Sequence, residues 1–407
     1  MSEWKEIALG EIVDFTTGKL NSNAATNNGK YPFFTCSPET LRIDSYAFDC
    51  QAILLAGNNA NAIYPIKIYS GKFNAYQRTY VITLKNLSLS NLRYLYYLLT
   101  LKLNHFKEIS QGSATKFLTT VILNNLQIKL PLLDEQKSIA DVISCLDAKI
   151  ENLRRQNETL EAIAQTLFKH WFIDFEFPDA DGKPYKSSGG EMIDSAIGDI
   201  PEGWKVGKLE DFVIVINGYS YKGDELNESD TALVTLKNFD RNGGFKLNGF
   251  KELNSSNFKA QHLVKSNDLI VAHTDLTQNA EVLGNPALIQ PNVKYKKYVI
   301  SMDLVKIESK KEYVNNYFLY YLMSTRHFKS HCVGYSNGTT VLHLSKKAIP
   351  EYIFPVPRNS QIITQFQQVV SPVREKMTNN LAQIQTLTKT REALLPKLMS
   401  GQLRIEE

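Results

Sequence analysis

The 407-residue sequence has few of the features that mark membrane proteins or secreted domains. Its four cysteines, Cys36, Cys50, Cys145 and Cys332, form no Cys-x-x-Cys pair, which is typical of reduced thiols in the cytoplasm. No apolar run approaches the roughly 18 residues that a membrane helix needs. The amino-terminal residues lack the basic-then-apolar pattern of a signal peptide. We therefore expect a cytoplasmic protein that does not enter a membrane.

Motifs of common catalysts are missing as well. The sequence has no Gly-x4-Gly-Lys-Ser/Thr phosphate loop and no Pro-Pro pair of the kind that DNA methyltransferases use to hold a flipped base. The run 179–183 echoes the acidic pair of a nuclease, but its two aspartates are so close that a turn is the better interpretation. His327, His331 and Cys332 could hold a metal ion on one helix. Because no fourth ligand is evident, structural histidines are favoured, and we predict no catalytic residue and no metal site.

What the chain does contain is an internal repeat of about 200 residues. Trp4, Lys5, Leu9, Val13 and Gly18 recur as Trp204, Lys205, Leu209, Val213 and Gly218. The later matches are 80–82 with 298–300, 95–98 with 319–322, 105–107 with 327–329, Gly112 with Gly338, and Pro131 with Pro357. Two copies of this length exclude a solenoid, whose repeats are about 20–50 residues. The repeat predicts a pseudo-dimer in one chain, which suits a target with two half-sites.

Each copy ends in a long helical pattern with apolar residues spaced alternately four and three apart. This spacing is the seam of a coiled coil. The first seam is Ile139, Ile143, Leu146, Ile150, Leu153, Asn157, Leu160, Ala164, Leu167 and Trp171. The second is Phe366, Val370, Val373, Met377, Asn380, Ile384, Leu387, Arg391 and Leu394. We expect the two helices to pack antiparallel. The alternative, in which each helix only caps its own domain, would leave a large apolar stripe in water.

Local signals refine this interpretation. Asp134 is suited to cap the first helix, and the polar Asn157 on its seam is a common device for fixing register. Pro372 is expected to kink or restart the second helix, and Pro396 and Gly401 to end it.

Shorter strand-like and helical runs alternate in each half, which predicts a mixed α/β fold. Runs such as 53–56, 80–84 and 212–216 favour strands, and 91–106 and 314–328 favour amphipathic helices. The expected organisation is a first globular domain at 1–133, a helix at 134–172, a connector at 173–203, a second domain at 204–357, and a second helix with tail at 358–407. Residues 1–130 carry a net charge of +5, 204–355 carry +4 and 356–407 carry +3, whereas 131–203 carry −8. Two mildly basic domains are compatible with contacts to a phosphate backbone.

Several segments resemble one known family. They are Leu130–Gln136 with Gly112-Ser113 upstream, Leu167–Glu176, Ile200–Trp204 and Arg391–Ile405. Together they are similar to the specificity subunits of type I restriction–modification systems over essentially the whole chain. One departure is Asn359-Ser360-Gln361 at the start of the second helix, where the family has Glu-Gln.

The resemblance implies a function for each part. Each globular half would be a target-recognition domain that reads one half of a bipartite, asymmetric double-stranded DNA sequence, and the antiparallel coiled coil would fix the gap. Two modification subunits would dock on the helices and methylate adenine N6. ATP-dependent restriction subunits would complete the cleaving enzyme. S-adenosylmethionine, ATP and Mg would then be used by the partner subunits, and no cofactor by this chain. Glu151, Arg154, Arg155 and Glu158 flank the first seam and are expected on the surface, where a partner could bind.

The family motifs do not identify the DNA contacts, so candidates are chosen by chemistry. Polar side chains on loops that leave strands can contact base edges and phosphates. In the first half these are Asn58, Asn59, Asn61, Lys72, Tyr76, Gln77 and Arg78. In the second half they are Thr274, Gln278, Asn279, Lys294, Lys296 and Lys297. Ser113, Thr115, Lys116, Asn337, Thr339 and Thr340 are expected to contact the DNA backbone or to cap helices.

Two other functions remain open from the residues alone. One is a pseudo-dimeric DNA-binding regulator that acts without enzymatic partners. The other is a coiled-coil adaptor whose two domains bind proteins.

Overall fold

A computed structural model describes residues 4–59, 62–112, 116–241 and 243–405. The chain forms two compact units: unit 1 is Met1–Glu151 with Thr386–Glu407, and unit 2 is Asn152–Gln385. The two long helices, α4 (Leu133–Phe172) and α8 (Gln361–Met399), therefore contribute one segment each to both units. None of the helices in the described ranges is long and apolar enough to cross a membrane.

Unit 1 is a mixed α/β domain closed by the two helix segments. Its remaining elements are β1 (Lys5–Ala8), α1 (Leu9–Ile12), β2 (Val13–Thr17), β3 (Tyr31–Phe34), β4 (Thr40–Ile43), β5 (Phe48–Ala56), β6 (Asn58–Asn59), β7 (Ile66–Ala75), β8 (Thr79–Leu84), α2 (Leu92–Ile109), β9 (Lys116–Phe117), α3 (Thr120–Asn124) and β10 (Gln127–Leu130). Six strands form one sheet in the order β2-β8-β5-β7-β3-β4, and β3 runs parallel to β7. The pairs β1-β10 and β6-β9 are separate.

The core of unit 1 joins the sheet to the helices through α2. The Leu/Tyr face of α2, with Tyr94, Leu95 and Leu98, is buried in one cluster with Ile53 of β5. Ile139 of α4 belongs to the same cluster. This helical face was expected from the apolar spacing between Asn91 and Phe106, and Asn91 caps the helix by accepting a hydrogen bond from Tyr94 N.

Unit 2 repeats this arrangement with more interruptions. Its elements besides the long helices are β11 (Met192–Ile193), β12 (Ile200–Pro201), β13 (Trp204–Lys208), β14 (Val213–Asn217), β15 (Thr231–Val234), β16 (Lys251–Glu252), β17 (Leu263–Val264), β18 (Leu269–Ala272), β19 (Thr274–Asp275), β20 (Pro286–Leu288), β21 (Lys297–Ile300), β22 (Leu304–Ser309), α5 (Asn316–Met323), α6 (Arg326–Gly334), β23 (Ser336–Asn337), β24 (Leu342–Leu344), α7 (Ala348–Glu351) and β25 (Ile353–Pro357). The sheets have the orders β14-β22-β18-β20, β16-β15-β21-β17, β19-β24-β23, β13-β25 and β11-β12.

Strand register shows which residues of the two copies are equivalent. Val13 pairs with Leu84 in unit 1, and Val213 pairs with Ser309 in unit 2, so β8 corresponds to β22 with an offset of 225 residues. The match of 80–82 with 298–300 is therefore wrong. The structural counterpart of 80–82 is 305–307, and 298–300 correspond to 73–75 at the end of β7. The shared letters Tyr-Val-Ile reflect two buried strands with similar composition.

The repeated glycines Gly18 and Gly218 have the same structural reason in both units. A Cβ on Gly18 would overlap the carbonyl oxygen of Ala75, and a Cβ on Gly218 would overlap that of Ser301. Both glycines follow the equivalent strands β2 and β14, where the chain passes directly against the backbone of the neighbouring strand end. Only glycine permits this close approach.

The helix ends differ from the expectations in two places, the start of the first helix and the position of Pro396. The first helix begins at Leu133, so Asp134 lies in the first turn rather than at the cap, where its charge still favours the helix amino terminus. Pro372 and Pro396 both lie inside α8, which continues to Met399. Pro372 is exposed while Val370 and Arg374 on either side are buried. We infer that packing of this helical face outweighs the lost backbone hydrogen bond, which costs about 3 kcal/mol. Pro396 falls in the last turn, followed by the buried Leu398.

Two further segments have more structure than the sequence predicted. The single helix expected at 314–328 is two helices, because Thr325 caps a new helix with its hydroxyl on Phe328 N. The connector is also more ordered than a spacer. Phe175 and Phe177 are buried, and their rings lie 5.5 and 5.2 Å from that of Trp204.

Candidate nucleic-acid interface

In unit 1, two short strands bring several of the predicted DNA contacts together. The pairing of β6 with β9 sets Asn58 opposite Phe117 and Asn59 opposite Lys116. The guanidinium of Arg78 lies 5.4 Å from the centre of the Phe117 ring. Asn58, Asn59, Arg78 and Lys116 therefore belong to one surface, which we call the β6–β9 surface.

The β6–β9 surface also contains a residue that sequence analysis missed. Cys36 follows β3, and its thiol lies 3.1 Å from Asn58 Oδ1 and 3.4 Å from Arg78 O, the two acceptors that share its single proton. Gly57 N donates to the same carbonyl of Arg78 at 2.8 Å. No motif surrounds Cys36, so only the folded chain reveals that it supports the loop that carries Asn58.

The other candidates of the first half lie elsewhere or outside the described residues. Lys72 is on β7, with its ammonium 4.7 Å from the centre of the Tyr46 ring. Tyr76 and Gln77 form the turn between β7 and β8, where Gln77 donates a hydrogen bond to Asn21 Oδ1 at 2.7 Å. Asn61, Ser113 and Thr115 lie outside the described ranges.

The equivalent surface of unit 2 is built from β19, β23 and β24. Thr274 is opposite His343, as Asn58 is opposite Phe117, and Asn337 also pairs with His343. Gln278 Nε2 donates to Thr339 O at 2.8 Å, which joins the loop after β19 to the loop after β23. We call this the β19–β24 surface, and the predicted residues that it exposes are Gln278, Asn279, Asn337, Thr339 and Thr340.

Four candidates of the second half do not join the β19–β24 surface. Thr274 is buried, and its hydroxyl donates to Asp303 Oδ1 at 3.0 Å, so it supports the loop and we remove it from the proposed contacts. Lys294 pairs with Glu252, and Lys296 pairs with Asp230 at 3.0 Å. These lysines and the exposed Lys297 lie before or at the first residue of β21. The loop after β18 contacts Asp303, which follows the last residue of β21, so the lysines are at the opposite end of this strand.

Equivalent positions of the two surfaces carry different chemistry. Asn58 corresponds to Thr274, and Arg78 corresponds to Asp303, since Ala56 pairs with Thr79 as Ala272 pairs with Leu304. A cation in one copy is thus replaced by an anion in the other. The match of 80–82 with 298–300 had implied that the basic cluster at 294–297 is the counterpart of 76–78. The strand register shows that it is not.

Two of the three possible metal-ligating residues, His331 and Cys332, have structural roles, while His327 is exposed. His331 Nε2 lies 2.8 Å from Ala348 O, and its ring stacks on that of Tyr335. Cys332 is fully buried, and burial raises the pKa of its thiol to about 12. Asp179 accepts hydrogen bonds from Asp181 N and Lys183 N, which confirms the turn expected there. Within the described ranges, no group of three or more His, Cys, Asp or Glu side chains could hold a metal ion.

The long helices run antiparallel in each unit. In unit 1, Arg391 of α8 binds Asp147 of α4 at 2.7 Å, and Tyr97 of α2 donates to the same carboxylate at 2.8 Å. In unit 2, Asn380 of α8 donates to Asn157 Oδ1 of α4 at 2.9 Å, and Asn157 donates to Met377 O at 3.1 Å. None of the predicted seam positions is exposed. The four residues that flank the first seam, at 151, 154, 155 and 158, are exposed as expected.

A buried ion pair in unit 2 was not anticipated. Arg374 of α8 is only 5% exposed, and its guanidinium binds the carboxylate of Glu161 of α4. Tyr320 of α5 donates to Glu161 at 3.2 Å, and Arg374 donates to Tyr321 OH at 3.4 Å. Burial lowers the pKa of Arg374, but the charge of Glu161 and the two tyrosines outweigh it, so the pKa lies above its ordinary value. The Tyr-Tyr pair of each copy thus contacts an ion pair between the two helices.

A mixed α/β domain present twice, each copy packed on segments of two antiparallel helices, defines a duplicated two-domain scaffold. Known proteins share this organisation. The profile of the type I restriction modification DNA specificity domain matches residues 1–162 and 201–386, so the chain belongs to that family. Subunits of this family are in general not catalytic.

Individual relatives cover most of the chain. It is 27% identical to the type I restriction enzyme EcoDI specificity subunit of Escherichia coli over 98% of this chain and 89% of that one. It is 32% identical to the MjaIX specificity subunit of Methanocaldococcus jannaschii over 77% of this chain and 69% of that one. The crystal structure of a type I S subunit from M. genitalium has the same fold, with a TM-score of 0.61, 16% identity, and coverage of 97% and 96% of the two chains.

Proposed function

We propose that this protein is the DNA sequence-specificity subunit of a type I restriction–modification complex, and that each globular half reads one half of a bipartite target. The observation that carries the proposal is the pair of surfaces at equivalent strand ends with different chemistry. A duplicated fold gives two similar readers, but only the first presents an arginine at this position, because the counterpart of Arg78 is Asp303, whose carboxylate accepts a hydrogen bond from the buried Thr274. The target should therefore have two unlike half-sites.

The β6–β9 surface has the side chains that a reader of the major groove needs. Arginine binds guanine O6 and N7 with two hydrogen bonds, and asparagine binds adenine N6 and N7 in the same way. Arg78 is exposed and lies against Phe117, and Asn58 is supported by Cys36. Lys116 on the neighbouring strand is suited to hold a phosphate.

Catalysis is assigned to other subunits of the complex. Two modification subunits would dock on the helices and methylate adenine N6 with S-adenosylmethionine, and restriction subunits would use ATP and Mg. The names of the curated relatives, which describe specificity subunits of restriction enzymes, support this division. The complex would work in the cytoplasm.

Purification with candidate partners tests the proposal against its alternatives. The full chain would be co-expressed with a modification subunit, and adenine methylation of DNA would be mapped by single-molecule sequencing. Co-elution with methylation at one bipartite sequence supports the proposal. Binding to an operator without methylation would indicate a regulator, and the absence of any DNA binding would indicate a protein-binding adaptor.

Replacing Arg78 with alanine should relax recognition at one half-site only. The lost contacts to a base correspond to about 1–3 kcal/mol of discrimination at one position. Because Arg78 belongs to unit 1, methylation should spread to sequences that differ in the half-site read by the first domain. The other half-site should stay unchanged in the sequencing data.

Lys72→Ala is a matched control, since it removes an exposed cation of the same domain outside the β6–β9 surface. It should leave the recognised sequence unchanged. If Arg78→Ala altered both half-sites together, or Lys72→Ala relaxed the same position as Arg78→Ala, the assignment of this surface would be wrong.

The helices rather than the recognition domains should bind the modification subunits. Arg155 is exposed on α4, so Arg155→Glu reverses a charge without disturbing the core. We expect weaker assembly, measured as dissociation of the complex on gel filtration at increasing salt. Lys205→Glu on β13 makes the same charge change on a recognition domain and should leave assembly unchanged. Equal loss in both variants would contradict docking on the helices.

A further inference from the structure

The loop after β19 is held in one conformation by a buried carboxylate. Asp275 is 2% exposed and accepts hydrogen bonds from Thr277 N at 2.8 Å, Val282 N at 2.6 Å and Leu283 N at 3.1 Å. Burial raises the pKa of Asp275, but the bonds donated by Val282 and Thr277 outweigh burial and hold it below the ordinary value. Both ends of residues 275–283 are thus held by the carboxylate of Asp275. We call this segment the clamped loop.

Two other side chains fix the clamped loop from outside. Lys329 of α6 donates from Nζ to Leu283 O at 2.6 Å and to Asn285 Oδ1 at 2.7 Å. At the tip, Gln278 donates to Thr339 O at 2.8 Å. Ala280 turns back into the core with a positive φ of 52° and is buried. The loop therefore cannot fold its tip inward without breaking several of these bonds.

One apolar side chain near the start of the clamped loop is exposed to solvent. Leu276 is 72% exposed although it directly follows the buried Asp275. The neighbouring exposed side chains are the amides of Gln278 and Asn279, and across the Gln278–Thr339 bond lie exposed threonines. Single exposed leucines are common on protein surfaces. This one belongs to a loop that hydrogen bonds to Asp275, Lys329 and Thr339 hold in place, so the loop presents it to solvent.

We propose that Leu276 contacts the 5-methyl group of a thymine in the half-site read by the second domain. This inference rests on the proposed function. In the major groove, thymine is marked by that methyl group, which apolar side chains contact, while amides such as those of Gln278 and Asn279 bind adenine edges and other polar groups. The other exposed side chains named on the β19–β24 surface are amides, hydroxyls and the imidazole of His343. None of them is a tryptophan, tyrosine or arginine of the kind that dominates protein interfaces, which favours DNA over a protein partner.

The contact is tested by removing the thymine 5-methyl group from the DNA and by truncating the Leu276 side chain in the protein. The complex with its modification subunits would bind duplexes that contain the mapped target, with each thymine of the second half-site replaced in turn by deoxyuridine. For the wild-type chain, one replacement should weaken binding about fourfold, the value of one buried methyl group. Leu276→Ala should bind the thymine-containing target more weakly by a similar factor. Replacement of that thymine by deoxyuridine should then cause no further loss of affinity.

The controls separate this inference from the proposed function. Leu87→Ala removes a leucine that is 78% exposed in unit 1 and should keep the wild-type sensitivity to deoxyuridine. The inference is overturned if no thymine in the second half-site matters, or if Leu276→Ala keeps the full sensitivity. It is also overturned if Leu276→Ala weakens all duplexes equally, as a wedge between bases would. If the wild-type complex does not prefer its mapped target over a scrambled duplex, the proposed function itself fails.

Discussion

Replacing Glu161 with glutamine should lower the free energy of unfolding by about 3–5 kcal/mol, the usual cost of breaking a buried ion pair on one side. Arg374 would keep its charge in a position that is 5% exposed. It would lose the carboxylate that compensates that charge, while Tyr321 offers only a neutral oxygen. Urea denaturation followed by circular dichroism measures this change in the unfolding transition of unit 2, which contains both residues.

Two controls show whether the uncompensated charge is the cause. The double variant Glu161→Leu, Arg374→Met removes both charges and should be much closer to wild type, because apolar residues often replace a buried pair without loss. Asp147→Asn breaks the corresponding pair in unit 1, where both side chains are about one third exposed. Solvent screening should limit that effect to about 1 kcal/mol or less. A double variant as unstable as Glu161→Gln would show that packing, and not charge, is responsible.

The helices illustrate what could be predicted from the sequence. Alternating spacing of apolar residues follows directly from the period of a supercoiled helix, so both seams and the polar Asn157 were visible without a structure. Arg374 was not, because it lies next to the seam position Val373 and its burial depends on Tyr320 and Tyr321 of α5. A third element that covers a helix flank leaves no periodic signal in the helix itself.

The recognition surfaces were predictable in part for a similar reason. Strand ends could be located from composition, since Asn58 and Thr274 were both chosen from loops that leave strands. The structure shows that these strands end at the equivalent residues Ala56 and Ala272. Pairing of β6 with β9 depends on segments almost 60 residues apart, and no local pattern encodes it. The chance match of 80–82 with 298–300 misaligned the two copies. It therefore suggested that the lysines at 294–297 correspond to residues 76–78. Strand register, which fixes side-chain facing, resolved the error.

If the helix pair sets the gap between the half-sites, lengthening both helices together should lengthen that gap. The suitable positions are between Glu151 and Asn152 and between Gln385 and Thr386, where the chain divides between the two units. Four residues add about 6 Å to each helix at 1.5 Å per residue. DNA rises about 3.4 Å per base pair, so methylation should move to a sequence with the same half-sites and one or two more base pairs between them.

An insertion between Leu160 and Ala164 of α4 alone is the contrasting variant. It would separate the Asn157–Asn380 contact from the packing of Phe168 on Phe366, whose ring centres are 5.5 Å apart, because α8 is not lengthened to match. Unit 2 should then lose stability, and methylation should be lost rather than shifted. The matched pair of insertions keeps every such contact inside its unit, so an active protein with an unchanged gap would show that the spacing is not set by the length of these helices.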